Sequence, residues 1–400
     1  MRSVVLGVFC GVSYLDAAIG HRPPFSTVDS AQRTMSSSPT KNQIKKLFRL
    51  AQAQDAQDGP TKLETTLAHL TTQHHIPNTK TFVRTIRNNQ ETLLHRACAH
   101  GAFAIAQHLV ITYFAPDLLD VRNQQVKTPL HCACTVGSAD IVQLLLAHGA
   151  LIDAHRTHSW TPLMYAVSRN HVHVVQLFMQ YVRHHQEPTT QHDTSTTTPR
   201  STPLYLDLNQ INQDGMTALY LASRENSVAC VQLLLQHHAD PNITSKTNRS
   251  PLHVAVKYQN EAIVDLLLAV SSIDLHTIDS SRSTLLHTAA AVNSVSMVRR
   301  LDDRGCVAPM LLHKDVCGRH PLHIAALEGS VEVAALLIQS FTRLHCSPTV
   351  TLLSFVDGKD DEENTPLALA ASRGHVGVVA ALLGHGVDVN VRCKCLYICW

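Results

Sequence analysis

The sequence predicts an all-α solenoid of paired antiparallel helices, and three observations predict it. A six-residue pattern recurs eight times in the 400 residues. Each copy opens with helix-start residues, and in seven of the eight a Gly or Asn closes it nine residues after its start. Each is then followed by an apolar second helix, such as Ile141-Val142-Gln143-Leu144-Leu145-Leu146 or Ile263-Val264-Asp265-Leu266-Leu267-Leu268. Self-similarity at a fixed period of roughly 20–50 residues marks a repeat architecture. Such a helix pair cannot bury its apolar faces alone, whereas a stack of eight makes one continuous core.

The copies are Thr92-Leu-Leu-His-Arg-Ala97, Thr128-Pro-Leu-His-Cys-Ala133, Thr161-Pro-Leu-Met-Tyr-Ala166 and Thr217-Ala-Leu-Tyr-Leu-Ala222. They continue as Ser250-Pro-Leu-His-Val-Ala255, Thr284-Leu-Leu-His-Thr-Ala289, His320-Pro-Leu-His-Ile-Ala325 and Thr365-Pro-Leu-Ala-Leu-Ala370. Successive starts lie 36, 33, 56, 33, 34, 36 and 45 residues apart, so a unit of 33 carries two genuine insertions. Ser or Thr comes first in seven copies, where a hydroxyl can cap free N–H groups. Proline follows in five, at the first helical position, where its missing N–H costs nothing. The invariant Leu and Ala are three apart on one helix face, and the small Ala admits a close neighbour. Gly101, Gly137, Asn170, Asn226, Asn293, Gly329 and Gly374 are residue types that tolerate the left-handed conformation ending a short helix.

This unit resembles the ankyrin repeat, whose period and Thr-Pro-Leu-His-x-Ala signature it matches over residues 88–392. The resemblance implies finger loops projecting nearly at right angles to the helices. It also implies a concave face, lined by fingers and first helices, that binds partner proteins. It assigns His95, His131, His253, His287 and His323 a structural role, hydrogen-bonding backbone between neighbouring repeats. Their spacing agrees, because stacked helices sit roughly 10 Å apart, too far to share a zinc ion with bonds of about 2.0–2.3 Å.

Residues 41–87 read as a degenerate first repeat or N-terminal cap. Ile44, Leu47, Phe48 and Ala51 have helical spacing, as do Leu63, Leu67 and Leu70, with Asp58-Gly59-Pro60 breaking between them. Residues 1–40 have two readings. Arg2, the apolar run Val4–Val12 and Ala18-Ile19-Gly20 have the order of a secretory signal, whereas Met35 opens an ordinary cytosolic start. The larger insertion, about 183–206, is rich in Thr, His and Pro and is expected to be a disordered loop. The second lies at about 341–353. Residues 393–400 form a Cys-rich tail that reads as truncated, since a solenoid needs a polar terminal cap.

Composition narrows the function. The 33 Lys+Arg against 31 Asp+Glu leave +2, without the basic surplus of a nucleic-acid binder. Protonating all 27 His would raise this to +29, so the surface is expected to turn basic in acid. Aromatics make up 5%, few for a large catalytic pocket. Cys98, Cys134 and Cys230 sit in apolar helical patterns and read as buried thiols of a reducing compartment. No run reaches the roughly 18 apolar residues of a membrane helix.

No phosphate loop, nucleophile elbow, His-Glu-x-x-His or kinase motif set occurs. Cys393-x-Cys395-x₃-Cys399 lacks the paired spacing of structural zinc sites, and Asp357-Gly358-Lys359-Asp360-Asp361-Glu362-Glu363 lacks calcium-loop order. No metal or cofactor is therefore expected. Candidate partner-binding residues are the cations Arg122, Lys127, Arg156, Arg169, Lys246, Arg249 and Arg319, with Trp160 and Tyr165 as aromatic anchors. The expected function is a non-enzymatic, monomeric, cytoplasmic protein-interaction scaffold. The alternatives are a substrate-recognition adaptor of a ubiquitin ligase or the regulatory part of a larger enzyme or channel. A true signal peptide at residues 1–20 would instead make the protein secreted.

Overall fold

The structure, a computed structural model, describes residues 39–52, 58–76, 78–113, 116–152, 160–186, 206–344 and 351–390. Twenty-two helices form among them. Each six-residue copy is the start of a first helix: Leu93–Ala99, Pro129–Val136, Pro162–Ser168, Ala218–Arg224, Pro251–Lys257, Leu285–Ala291, Pro321–Leu327 and Pro366–Ser372. The second helices run from Phe103–Thr112 in repeat one to Val376–Leu383 in repeat eight. First helices pack on first helices and second on second, which makes two parallel rows.

Local chemistry sets these boundaries. The hydroxyls of Thr92, Thr161, Thr217, Ser250, Thr284 and Thr365 each accept the backbone N–H three residues on, at 3.2–3.5 Å. Nine residues after each start the chain turns with positive φ, at Gly101, Gly137, Asn170, Asn226, Asn293, Gly329 and Gly374. In repeat five Gln259 does so at φ +56°, and its side-chain amide donates to the Val292 carbonyl at 3.0 Å. All eight signature alanines are fully buried, which lets the first helices approach closely.

Helices Lys41–Leu50 and Gly59–Gln73 pack on the first and second helices of repeat one, so this pair continues both rows. Asp58-Gly59-Pro60 is the opening of the second of these helices rather than a separate connection. Four short helices had no sequence signal: Thr79–Thr85, Pro116–Leu119, Val307–Leu311 and Leu352–Val356. Both insertions begin as helix. The second helix of repeat three extends to Gln186 and that of repeat seven to Leu344. The rest of these stretches, 187–205 and 345–350, lies outside the described residues, as do 1–38 and 391–400 with the cysteine tail.

Candidate partner-binding face

The fingers are built by a device the sequence reading missed. In five of the eight copies the residue five before the signature start is an Asn or Asp whose side-chain oxygen accepts two backbone N–H groups of its own turn. Asn123 accepts from Gln125 and Lys127, and Asn212 from Asp214 and Met216. Asp279 accepts from Ser281 and Ser283, Asp315 from Cys317 and Arg319, and Asp360 from Glu362 and Asn364. This is the Asx-turn, in which a short polar side chain replaces a backbone acceptor. Two residues before the start, the turn takes positive φ at Val126, Gly215, Asn248, Arg282, Gly318 and Glu363. The signal was present as recurrent Asn or Asp at one register, in stretches without hydrophobic periodicity.

Adjacent fingers are bonded along their backbones from repeat four to repeat eight. Lys246 donates to the Asp214 carbonyl, Ser280 to Thr247, Val316 to Ser281 and Asp361 to Cys317, at 2.9–3.0 Å. A Cβ at Gly318 would lie 2.8 Å from the Asp361 nitrogen, so only glycine fits there. The turns between helices are tied similarly. His171, Asn260 and His375 bond the carbonyls of Thr135, Ser223 and Leu327 in the preceding repeat.

The signature histidines are buried. Nε2 of His95, His131 and His287 donates to the carbonyls of Lys127, Trp160 and Arg319 in the next repeat, at 2.9–3.1 Å. Their Nδ1 atoms accept from the N–H of Thr92, Thr128 and Thr284. Nδ1 of His253 and His323 bonds Ser250 and the His320 N–H, while their Nε2 atoms make no well-aligned hydrogen bond, although the backbone of Thr277 lies close to His253 and that of Asn364 and Gly358 close to His323. Three of the five make the expected inter-repeat bond with full geometry, and His323 faces the corresponding Asn364 backbone more loosely. Burial pulls His95, His131, His253 and His323 down to about 4, His287 below its ordinary value and His320 well below it. The four held at about 4 stay neutral in mild acid, and His287 and His320 are displaced in the same direction, so these histidines contribute little to the basic swing expected from composition.

The expected partner-binding residues divide into three groups. Trp160 and Tyr165 come together, ring centroids 5.2 Å apart, with Lys127 Nζ 4.6 Å above the Tyr165 ring and His131 edge-on to it at 5.8 Å. A cation over an aromatic face is held by the ring quadrupole. Both aromatics are half-buried, Lys127 is partly exposed, and Arg122 and Arg169 are exposed. Lys246 is exposed on finger five. Arg249 and Arg319 are engaged within the fingers: each grips a buried carboxylate, Asp279 at 3.0 Å and Asp315 at 2.9 Å. Burial would raise Asp315, but the backbone and side-chain donors of Arg319 hold it below its ordinary value. Arg156 lies outside the described residues.

Asn242-Ile-Thr244 and Asn248-Arg-Ser250 have the form of glycosylation tripeptides, and residues 357–363 are acidic. The amide nitrogens of Asn242 and Asn248, where a glycan would attach, donate to the carbonyls of Ser272 and Ile278. Asp360 is the turn-former of finger eight, and Asp361, Glu362 and Glu363 face solvent. Among the described residues no three His, Cys, Asp or Glu side chains are grouped to hold a metal ion. No helix among them is long and apolar enough to cross a membrane.

Two rows of short capped helices, with Asx-turned fingers on one side, define an all-α repeat solenoid. The ankyrin-repeat profile matches residues 113–192, 203–279 and 286–393, and the chain belongs to the ankyrin repeat family. It is 26% identical over 46% of its length to the human transient receptor potential cation channel subfamily A member 1, spanning 16% of that protein. It is 28% identical over 50% of its length to the probable 26S proteasome regulatory subunit p28 of Saccharomyces cerevisiae, spanning 78% of it. It is 23% identical over 75% of its length to the E3 ubiquitin-protein ligase KEG of Arabidopsis thaliana, spanning 20% of it. The chain thus covers a fifth or less of the channel and the ligase. Ankyrin repeats are protein-interaction modules and generally non-enzymatic.

Proposed function

We propose that this chain is a non-enzymatic scaffold that holds a partner protein against the face formed by its fingers and first helices. The observation that carries the reading is the Trp160–Tyr165–Lys127 cluster between repeats two and three. Trp and Tyr offer large, rigid contact area at low entropic cost, and such residues anchor interfaces. Arg122 and Arg169 are the exposed cations of the same two repeats. A face already fixed by inter-repeat hydrogen bonds loses little further freedom on binding, which favours affinity. The scaffold acts as a monomer in a reducing cytoplasm, in keeping with the free, buried thiols of Cys98, Cys132, Cys134, Cys230 and Cys306. A second reading, an adaptor or regulatory region within a larger assembly, is favoured by the partial matches to a ligase and a channel.

Affinity capture from native cells, with mass spectrometry of what co-purifies, tests this. Wild type is compared with Tyr165→Ala combined with Arg169→Ala, and with Trp160→Ala. A partner lost from both variants supports the proposed face. A partner retained by both places binding elsewhere and overturns it.

A further inference from the structure

The carboxylates at the tips of fingers six and seven are turned inward, and this gives that part of the face a charge the overall composition conceals. Across residues 243–249, 276–283 and 312–319, the tips of the fingers of repeats five to seven, the only acidic residues are Asp279 and Asp315, while Asp240 and the exposed Asp274 stand at the bases of fingers five and six. Asp279 and Asp315 are each consumed as an Asx-turn acceptor and arginine partner, and their side chains are 2% and 3% exposed. The cations of the same segments face solvent. Lys246, Arg282 and Lys314 are exposed, and even the paired Arg249 and Arg319 keep about a third of their side chains in water. Folding hides the negative charge at the tips of fingers six and seven and displays the positive charge of all three.

The three fingers also form one surface. Backbone bonds from Ser280 to Thr247 and from Val316 to Ser281 join them edge to edge, so the cations are spread along a fixed ribbon. Val316, 54% exposed on finger seven, adds an apolar contact in the same run. Beyond it, finger eight reverses sign with exposed Asp361, Glu362 and Glu363.

We infer that the fingers of repeats five to seven bind an extended acidic polypeptide segment carrying interspersed apolar side chains. This rests on the partner-binding reading above and adds a second contact region to it, separate from the Trp160–Tyr165 cluster. Opposed charge at an interface raises the association rate and excludes partners of the wrong sign. A polypeptide suits this surface better than a nucleic acid. Within repeats four to eight the basic run is three fingers long: finger four exposes Asp214 and finger eight is acidic, so a continuous phosphate backbone would meet repulsion at both ends.

The test uses the full chain and a fluorescein-labelled peptide of repeated Glu-Glu-Phe-Asp units, read by fluorescence anisotropy. Its controls are the Gln-Gln-Phe-Asn counterpart and a labelled single-stranded oligonucleotide. The acidic peptide should bind about tenfold or more tighter than its neutral counterpart, and more tightly as salt is lowered. Combining Lys246→Glu, Arg282→Glu and Lys314→Glu should weaken it about tenfold or more, while Tyr165→Ala changes it by less than about twofold. Should the reversed variant fold poorly, the corresponding Gln substitutions remove the same charges and supply the reading. Equal binding of the two peptides, or tighter binding of the oligonucleotide, overturns the inference. Loss of peptide binding in Tyr165→Ala but not in the reversed variant also overturns it and leaves the repeat-two and repeat-three anchor standing.

Discussion

Acid should unfold this stack through its signature histidines. In the unfolded chain these imidazoles titrate near their ordinary value of about 6.5, whereas His95, His131, His253 and His323 are held at about 4. The unfolded state then binds more protons between these two values. The neutral histidines contribute stability that is fully present above pH 6.5 and is lost as pH falls toward 4. At pH 5.5 the loss is about 1.4 kcal/mol for each, or about 5–6 kcal/mol for the four. A typical domain has only about 5–15 kcal/mol in total. His287 and His320, displaced in the same direction, add to the loss. The first cause is burial, which disfavours the charged ring, and in His95 and His131 protonating Nδ1 would also replace an acceptor of the Thr N–H with a second donor. The assay is urea unfolding followed by far-ultraviolet circular dichroism at steps from pH 8 to pH 5. Stability should be level above pH 7 and drop steeply below 6.5. His131→Gln should lower stability at pH 7 by about 1–3 kcal/mol, through the unsatisfied Trp160 carbonyl and Thr128 N–H, and make the pH dependence shallower. A midpoint unchanged between pH 7 and 5.5, or an unchanged slope in His131→Gln, would refute the reasoning.

Three further outcomes follow from finger geometry. Val126 holds φ +62°, a conformation costing a β-branched residue about 1–2 kcal/mol, at the register that Gly215 and Gly318 occupy elsewhere. Val126→Gly should therefore raise stability by up to about 1 kcal/mol, measured by thermal or urea unfolding. Gly318→Ala should destabilise by about 2–3 kcal/mol, because its Cβ would collide with Asp361 and part fingers seven and eight. Hydrogen exchange should show lost protection at the Asp361 amide, and unchanged exchange there would count against the fit. Asp315→Ala removes the acceptor of two backbone N–H groups and the partner of Arg319, and should cost about 2–4 kcal/mol in urea unfolding.

The helices were legible because their signals are local. A Thr at the start, a Pro after it and a Gly or Asn nine residues on each act within one helical turn of where they stand, and the repetition makes them unambiguous. The fingers were less legible because their chemistry crosses repeats. Arg249 reads as an outward cation until its partner, Asp279, is found 30 residues later on the next finger. Arg319 and Asp315 are close in sequence, yet nothing in their types says that the carboxylate is buried and the guanidinium clamped to it. The helix Val307–Leu311 has too few residues to display a period. It exists because Val307, Met310 and Leu311 are buried where it packs against the second helix of repeat seven. Of the candidate site, the Trp160–Tyr165 proximity was legible, since both flank one helix start, whereas Lys127 joins them from the preceding finger.

The one departure from the Ser/Thr start explains the insertion that follows it. His320 occupies the capping position of repeat seven, and its ring stacks on Phe355 at 4.9 Å and 26°. Phe355 in turn lies flat on Phe341, 4.4 Å away at 1°. Gly358 approaches the imidazole so closely that a Cβ there would sit 2.7 Å from Nε2. A threonine hydroxyl would cap the helix but leave this space empty, and a void under two phenyl rings costs packing energy in proportion to its size. The imidazole fills it. Helix Leu352–Val356, within the longer connection to repeat eight, supplies the ring that covers it. The altered signature and the added residues are therefore two parts of one packing solution, so replacing His320 with threonine should loosen the 351–358 segment while the other seven starts hold.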